Sequence, residues 1–326
     1  MTAVAGRSAG VVAGLVLDRW WGDPPSEVHP VALFGRAMEG AERQWWHDGR
    51  GRGVWYAAAG VAAAASAGWL AESVAGRAGG VALATAVASA GRTLLSTATE
   101  VGDRLHAGDL AGARALLPSL VGRDPSSLGE QEMARAVVES VAENLSDAVV
   151  ATALWGRLAG APGALAHRAA NTLDAMVGHR SPRYARFGWA AARLDDVMAW
   201  PAARVTALLV MAVSPGAAGQ VRRAVRRDAP HHPSPNAGVA EAAFAGALGL
   251  RLGGVNHYQG RRDRRPSLGS GRPAEVADIG RAVALARRVT RLLGLVLLAV
   301  AATGVPARRR AAGGPPHPRA HAGGPS

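Results

Sequence analysis

The sequence contains no cysteine and no lysine. The absence of cysteine excludes a disulfide scaffold, a zinc–thiolate site and a cysteine nucleophile. The absence of lysine excludes a P-loop nucleotide site, whose motif requires that residue, and Schiff-base chemistry. Charged residues are also scarce, at 19%, whereas 49% of the residues are hydrophobic. This balance excludes a chain that is disordered throughout.

All 37 basic residues are therefore arginine; 24 acidic residues oppose them, which leaves a net charge of +13. An arginine excess fits nucleic acid, anionic lipid or an anionic substrate, and it also accompanies a biased genome composition. A soluble nucleic-acid binder should interleave arginine and aromatic residues on one surface. The tryptophans instead stand at the edges of apolar runs, so we expect no nucleic-acid partner.

Long uncharged runs occupy residues 54–71, 205–220 and 292–307. A membrane-spanning helix needs about 20 largely apolar residues, and a run slightly shorter qualifies when a flanking arginine reaches the headgroups. Most of the tryptophans lie at the edges of apolar runs, as in interfacial belts, namely Trp20, Trp21, Trp55, Trp69, Trp155 and Trp200. A soluble alanine-rich bundle remains the alternative.

Helical spacing dominates and two-residue alternation is absent, which predicts an all-α fold. We therefore expect a multi-pass helical protein of the cell (inner or plasma) membrane, with the lipid bilayer as its surroundings. Residues 1–305 form a single helical membrane domain with cytoplasm-facing polar loops. Residues 306–326, rich in Arg, Gly and Pro, form a disordered tail.

Three acids are spaced i, i+4 and i+8 and are expected on one helix face: Glu139, Glu143 and Asp147. Like charges at this spacing destabilise a helix by roughly 0.2–0.5 kcal/mol per pair. The stripe runs into an apolar stretch, so it favours a cation, which could be a metal ion, an arginine or a substrate amine.

Four further polar blocks resist a simple packing explanation. Asp23 is the acid of a Gly-Asp-Pro helix break, and His29 follows it. Asn171 and Asp174 follow His167 at helical spacing, on a helix that Pro162 could open. The hard oxygen atoms of Asn171 and Asp174 suit magnesium better than zinc. Arg193 and Asp196 precede a Trp-Pro break, where an ordinary helix ion pair is the alternative. In the last block Asn236 is expected to cap the following helix, whose free N–H groups would hold a phosphate near Ser234 and Arg251.

Together these blocks resemble the cobalamin-biosynthesis CobD/CbiB family, adenosylcobinamide-phosphate synthase. The matching stretches run in one order: LDRWWGDP…HPV (17–31), VESVAEN…DAVV (138–150), NTLDAMVG…RY…FGWAAARLDD (171–196) and HPSPNAG…EAAFAGALGLRLGG (232–254). The departures are conservative, namely Leu145, Ser146, Ala240 and Phe244.

The resemblance implies a membrane enzyme that uses ATP and magnesium to join aminopropanol phosphate, or aminopropanol, to the carboxylate of adenosylcobyric acid. Other late cobalamin-pathway enzymes are possible partners. A non-enzymatic sensor or transporter on the same helices is the alternative, although it predicts degraded polar blocks.

The resemblance also carries over site roles. It implies catalytic acids at Glu139, Glu143, Asp147 and Asp196. Magnesium would bind at Glu143, Asp147 and Asp174. Substrate or phosphate groups would contact Asp23, His29, Asn171, Arg193, Ser234, Asn236 and Arg251.

One difficulty concerns the run at 205–220. If it crosses the membrane completely, the blocks at 171–196 and 232–254 lie on opposite sides and cannot share a site. We therefore expect some apolar runs to be re-entrant or to pack as buried helices at membrane depth.

Overall fold

The computed structural model describes residues 3–25, 27–122, 125–126, 128–179, 181–258 and 261–303, with the backbone alone at 255–258 and 261–264. The helices in this part of the chain are α1 (Ala3–Trp21), α2 (Pro30–Trp45), α3 (Arg50–Ala88), α4 (Gly91–His106), α5 (Leu110–Leu116), α6 (Glu130–Asn144), α7 (Ala151–Val177), α8 (Trp189–Val213), α9 (Ala218–Arg227), α10 (Ala237–Leu248) and α11 (Val276–Thr303). A π-helix (Leu145–Val150) joins α6 to α7, and 3₁₀ turns lie at Leu117–Ser119, Pro215–Ala217 and Ala229–His231. The strands are β1 (Leu250–Tyr258), β2 (Arg261–Leu268) and β3 (Arg272–Pro273). The proposed tail at 306–326 lies outside the described residues.

Small residues allow the central helices to approach closely. Helix α3 packs against both α1 and α7. A Cβ atom on Gly10 or Gly14 of α1 would lie 2.5–2.6 Å from α3 atoms, and one on Gly68 of α3 would lie 2.5 Å from the α7 backbone. Small residues at such contacts are typical of helix packing in membranes. The high alanine and glycine content therefore serves helix–helix contact.

Helix α7 is kinked at Gly160, where φ is 74°. Glu72 of α3 satisfies the freed backbone, because its Oε1 accepts a hydrogen bond from the Ala161 N–H at 2.8 Å. Pro162 follows the kink, in the first turn of the second half of α7, where its missing N–H costs little. The expectation that Pro162 opens a helix thus holds for the second half only, since α7 itself begins at Ala151.

Three helical segments are long and apolar enough to cross a membrane by length and composition: Arg50–His106, Glu130–Val177 and Trp189–Val213. Only 22% of the most apolar window in the first segment is buried inside the protein. Large apolar side chains such as Trp55, Trp69 and Val74 are exposed there. The prediction of a helical membrane protein is confirmed.

The apolar run at 205–220 does not continue as one helix. Helix α8 ends at Val213, a 3₁₀ turn (Pro215–Ala217) follows, and α9 packs against α8 and α10. The following helix, α10, has 12 residues and is buried along almost its whole length. Twelve residues rise about 18 Å, which is too short to span a bilayer. Nδ2 of Asn236 donates to the Asp196 carbonyl at 2.8 Å, so the 232–254 block lies beside the 171–196 block.

A small sheet was not predicted from the sequence. Its strand order is β2-β1-β3, with β1 antiparallel to β2 and parallel to β3. Leu250, Leu252 and Leu268 are buried beneath it, whereas most other positions of β2 carry arginine or another polar residue. The sheet covers the end of the buried α10 and brings the Gly-rich strand β1 to α6.

Membrane integration can be tested directly. We expect the protein to stay in the pellet when membranes are washed with high salt and then with alkaline carbonate, because its exposed apolar helices need lipid. The measurement is the fraction of protein recovered in pellet and supernatant. Release by carbonate would contradict the multi-pass architecture.

Asp278, in the first turn of α11 and outside the three candidate spans, is fully buried and bonded to Arg272 at 2.7 Å and Arg281 at 2.5 Å. Burial raises the pKa of Asp278, but hydrogen bonds from Arg272, the Glu275 N–H and Arg281 outweigh it, so the pKa lies below its usual value. Its contribution to stability is therefore complete above the unfolded pKa of about 3.9 and is lost as pH falls through the lower folded pKa. We expect Asp278→Asn to lower the free energy of unfolding by about 1–3 kcal/mol at pH 7. Unfolding in detergent across this pH range measures both effects, and a difference from the parent that does not shrink below pH 4 would contradict the assignment.

Candidate functional site

The first polar block forms a turn between α1 and α2. Gly22, with φ of 67°, ends α1 and donates its N–H to the Asp18 carbonyl at 2.8 Å. Asp23 follows, and its carboxylate lies 3.4 Å from Nε2 of His29. Nδ1 of His29 accepts the Val31 N–H at 3.1 Å, so this histidine also caps α2. The pair Asp23–His29 is thus held rigidly beside the helix ends.

Five carboxylates from four consecutive helical elements converge; we call them the acid cluster. They are Glu143 on α6, Asp147 on the π-helix, Asp174 on α7, and Asp195 and Asp196 on α8. Asp147 interacts electrostatically with Glu143, Asp174 and Asp195, and Asp174 also interacts with Asp196. Like charges brought together in this way favour a cation among them.

Arg168 of α7 supplies a positive charge beside this arrangement. It interacts electrostatically with Asp147 on one side and with Asp23 on the other. It therefore links the first polar block to the acid cluster. Its Nε is buried and bonds to no residue that the structure describes. One guanidinium facing several carboxylates leaves the cluster with excess negative charge.

The three acids of the expected stripe do not share one environment. Residues Leu145–Val150 form a π-helix, whose wider turn changes the direction of Asp147 relative to an α-helical face. Glu139 also has a different environment: its Oε1 accepts the Gly253 N–H at 2.7 Å and lies 3.8 Å from Arg135. Glu139 therefore anchors β1 to α6, while Glu143 and Asp147 belong to the acid cluster.

Asn171 and Arg193 line the same region from α7 and α8. Nδ2 of Asn171 donates to Oδ1 of Asp195 at 3.3 Å. Arg193 is exposed and pairs with Asp196 at 3.2 Å, one helical turn away. The Arg193–Asp196 pair has the geometry of an ordinary helix ion pair at the rim, where the guanidinium retains open donors.

Asn236 connects the last polar block to α8. Its Nδ2 donates to the Asp196 carbonyl at 2.8 Å, and its Oδ1 accepts from Arg204 at 2.9 Å. The expectation that Asn236 caps α10 is wrong, because the side chain is occupied by these contacts. Ser234 caps the start of α10 instead, since its Oγ accepts the N–H of Ala237 at 3.1 Å.

Arg251 lies apart from this group. It is exposed on β1, and its side chain makes no hydrogen bond or ion pair with any residue in the described part of the chain. The other polar blocks, from both ends of the sequence, meet around Arg168, Asp196 and Asn236.

A family model described as CobD/Cbib protein matches residues 11–286. This range contains every residue of the site. The chain belongs to the CobD/CbiB family. Its role accordingly lies in cobalamin biosynthesis.

Curated relatives agree along most of this CobD/CbiB-family chain. "Cobalamin biosynthesis protein CobD" of Mycobacterium tuberculosis is 49% identical over 300 residues, which cover 90% of this chain and 95% of the relative. The proteins of the same name from Halalkalibacterium halodurans and Rhodobacter capsulatus are 38% and 42% identical, covering 85% and 82% of this chain and 91% and 89% of theirs. No solved structure matches the chain significantly.

Three participants were missed in the sequence: Arg168, Asp195 and Arg204. Asp195 stands beside Asp196 in the polar block at 171–196, so its position next to Asp196 could have identified it as a site residue. Arg168 had no acidic partner at helical spacing, because its partners come from other elements.

The donor chemistry of this CobD/CbiB site fits a divalent cation. Carboxylate oxygens are hard donors of the kind that Mg²⁺ prefers. Among the described residues, however, no three His, Asp or Glu side chains are arranged so as to hold a metal ion. Direct magnesium coordination by Glu143, Asp147 and Asp174 therefore stays a prediction. His167 is buried next to the cluster, and neither of its ring nitrogens bonds to a described residue.

Proposed function

We propose that this protein is an adenosylcobinamide-phosphate synthase of the cell membrane. It joins aminopropanol phosphate, or aminopropanol, to the carboxylate of adenosylcobyric acid at the expense of ATP. The observation that carries the proposal is the acid cluster with its single central arginine, inside the matched family region. Such a cluster suits a substrate that presents an ammonium group.

The bond changes define what the site must do. The γ-phosphoryl group of ATP passes to a substrate carboxylate oxygen, which gives an acyl phosphate and ADP. The amine nitrogen then attacks the acyl carbon, the bond between that carbon and the phosphate oxygen breaks, and phosphate leaves. The nitrogen loses a proton to a base as the amide forms.

The acid cluster serves two of these steps, the binding of the amine and the removal of its proton. Its carboxylates bind the incoming ammonium, and one of them accepts the proton that makes the amine nucleophilic. Glu143 is assigned as this base because it interacts electrostatically with Asp147, Asp174 and Asp195 and so lies among the other carboxylates of the cluster. A bound Mg²⁺ would supply charge neutralisation for the phosphate groups.

Cationic and amide groups surround the cluster and would orient the anionic parts of the substrates. Arg193 is exposed at the rim, and its guanidinium can contact a phosphate while it remains paired with Asp196. Asn236 fixes the Asp196 backbone and holds Arg204 nearby. The Asp23–His29 pair completes the opposite wall through Arg168.

The proposal is tested with purified protein in lipid nanodiscs, supplied with ATP, Mg²⁺ and adenosylcobyric acid. We expect a new amide by mass spectrometry and one ADP per amide. Aminopropanol and its phosphate are compared as separate amines, and the faster one is the substrate. Absence of amide with both amines, in protein that remains folded, would overturn the proposal.

A further inference from the structure

A cavity of about 590 Å³ lies between α1, α4 and α11, outside the acid cluster. Its inner wall is apolar and includes Val12, Val16, Leu95 and Gly294. The π-helix forms its floor through Leu145 and Val149. An apolar slot of this size accommodates part of an amphiphile.

The rim of the cavity is positively charged. Arg19, Arg92, Arg287 and Arg291 line it, against one acid, Asp18. Asp18 is buried; the backbone N–H groups of Gly91 and Arg92 at the start of α4 contact its carboxylate, and its Oδ1 bonds to no residue that the structure describes. Arg287 and Arg291 are exposed and form no ion pair with any residue that the structure describes. The rim therefore offers guanidinium groups to an anion.

The side chains around the cavity locate it at the membrane interface. Trp20, which lines it, and Trp21 are 71% and 78% exposed at the end of α1, where interfacial tryptophans are expected. On α11 the exposed face changes from Arg287 and Arg291 to the apolar Leu295 within about one turn. Arginines at headgroup depth followed by leucines at acyl depth match the layers of a bilayer.

We propose that this cavity binds an anionic phospholipid. The phosphate group contacts Arg287 and Arg291, with Arg19 and Arg92 beside it, and an acyl chain extends along Val12, Val16 and Gly294. A water-soluble anion such as free phosphate would satisfy the arginines, but it would leave the apolar wall facing water. The combination of a charged rim and an apolar wall selects one molecule that carries both parts.

The experiment measures lipid binding to the detergent-purified protein, by native mass spectrometry and by thermal unfolding. Added phosphatidylglycerol is expected to raise the unfolding temperature, and phosphatidylcholine at the same concentration is expected to raise it less. In the double variant Arg287→Gln/Arg291→Gln, phosphatidylglycerol should bind roughly tenfold to thirtyfold more weakly. Equal effects of the two lipids on the parent protein would overturn the proposal.

The matched control is Arg222→Gln/Arg226→Gln, which removes the same charge from exposed positions of α9. It should bind phosphatidylglycerol like the parent, and an equal loss would show that net charge alone attracts the lipid.

A second variant, Gly294→Leu, keeps every arginine and fills the apolar wall, where a new Cβ meets no neighbour. We expect it to lose phosphatidylglycerol binding as well, and unchanged binding would contradict an acyl chain in the cavity. Inorganic phosphate is the last arm: stabilisation by phosphate equal to that by phosphatidylglycerol would assign the rim to a soluble anion instead.

Discussion

Glu143→Gln is expected to lower amide formation at least about a hundredfold, the usual contribution of a general base. Glutamine keeps the shape and hydrogen-bonding capacity of glutamate but removes the charge that receives an ammonium group or a proton. Glu143 faces several other carboxylates, so its neutralisation relieves repulsion in the empty protein. We therefore expect the unfolding temperature to stay level or rise slightly. Turnover and thermal unfolding of the same detergent preparation measure both quantities.

The matched control is Glu130→Gln, the same chemical change at the exposed start of the same helix, α6. It should retain the activity of the parent protein. Activity and stability that fall together in Glu143→Gln would point to a structural role for this residue. Full activity in Glu143→Gln would remove it from the mechanism.

The helices could be predicted because their signals are local. Apolar runs, flanking arginines and edge tryptophans are each read within about 20 residues, and they indicated the membrane fold. The sheet could not be predicted in this way. Its apolar signal is confined to Leu250 and Leu252 on β1, and the partner strand β2 is dominated by arginine and other polar residues. The pairing is decided by burial against α10, which no local pattern records.

The members of the site could be predicted more completely than their geometry. Glu143, Asp147, Asp174 and Asp196 stood out as polar residues within apolar helices, and they do converge. The spacing argument failed at Glu139, whose carboxylate accepts the Gly253 N–H and lies outside the acid cluster.

Side-chain partners were the least predictable part. A cap on α10 was expected from Asn236, but that residue contacts α8, because Ser234 already occupies the helix start. The π-helix and these contacts all depend on tertiary neighbours.

Arg168→Gln is expected to lower the free energy of unfolding. It removes the guanidinium that faces both Asp147 and Asp23 and leaves the acid cluster without its central cation. Breaking a buried ion pair in contact costs about 3–5 kcal/mol, and we expect a smaller loss here because Arg168 acts on these carboxylates without a direct ion pair to a residue that the structure describes. Adding Asp147→Asn to the same chain should recover part of that loss, because the carboxylate that needed Arg168 is then neutral. The free energies of unfolding of the parent, the two single variants and the double variant give the coupling energy of the pair.

The control is Arg157→Gln, on the same helix α7 but away from the acid cluster, which should cost little. Magnesium provides a separate test of the demand for a cation. It should stabilise Arg168→Gln more than the parent protein, because the variant has one more uncompensated carboxylate to bind it. Additive losses in the double variant, with no recovery, would mean that Arg168 serves packing and does not balance the charge of Asp147.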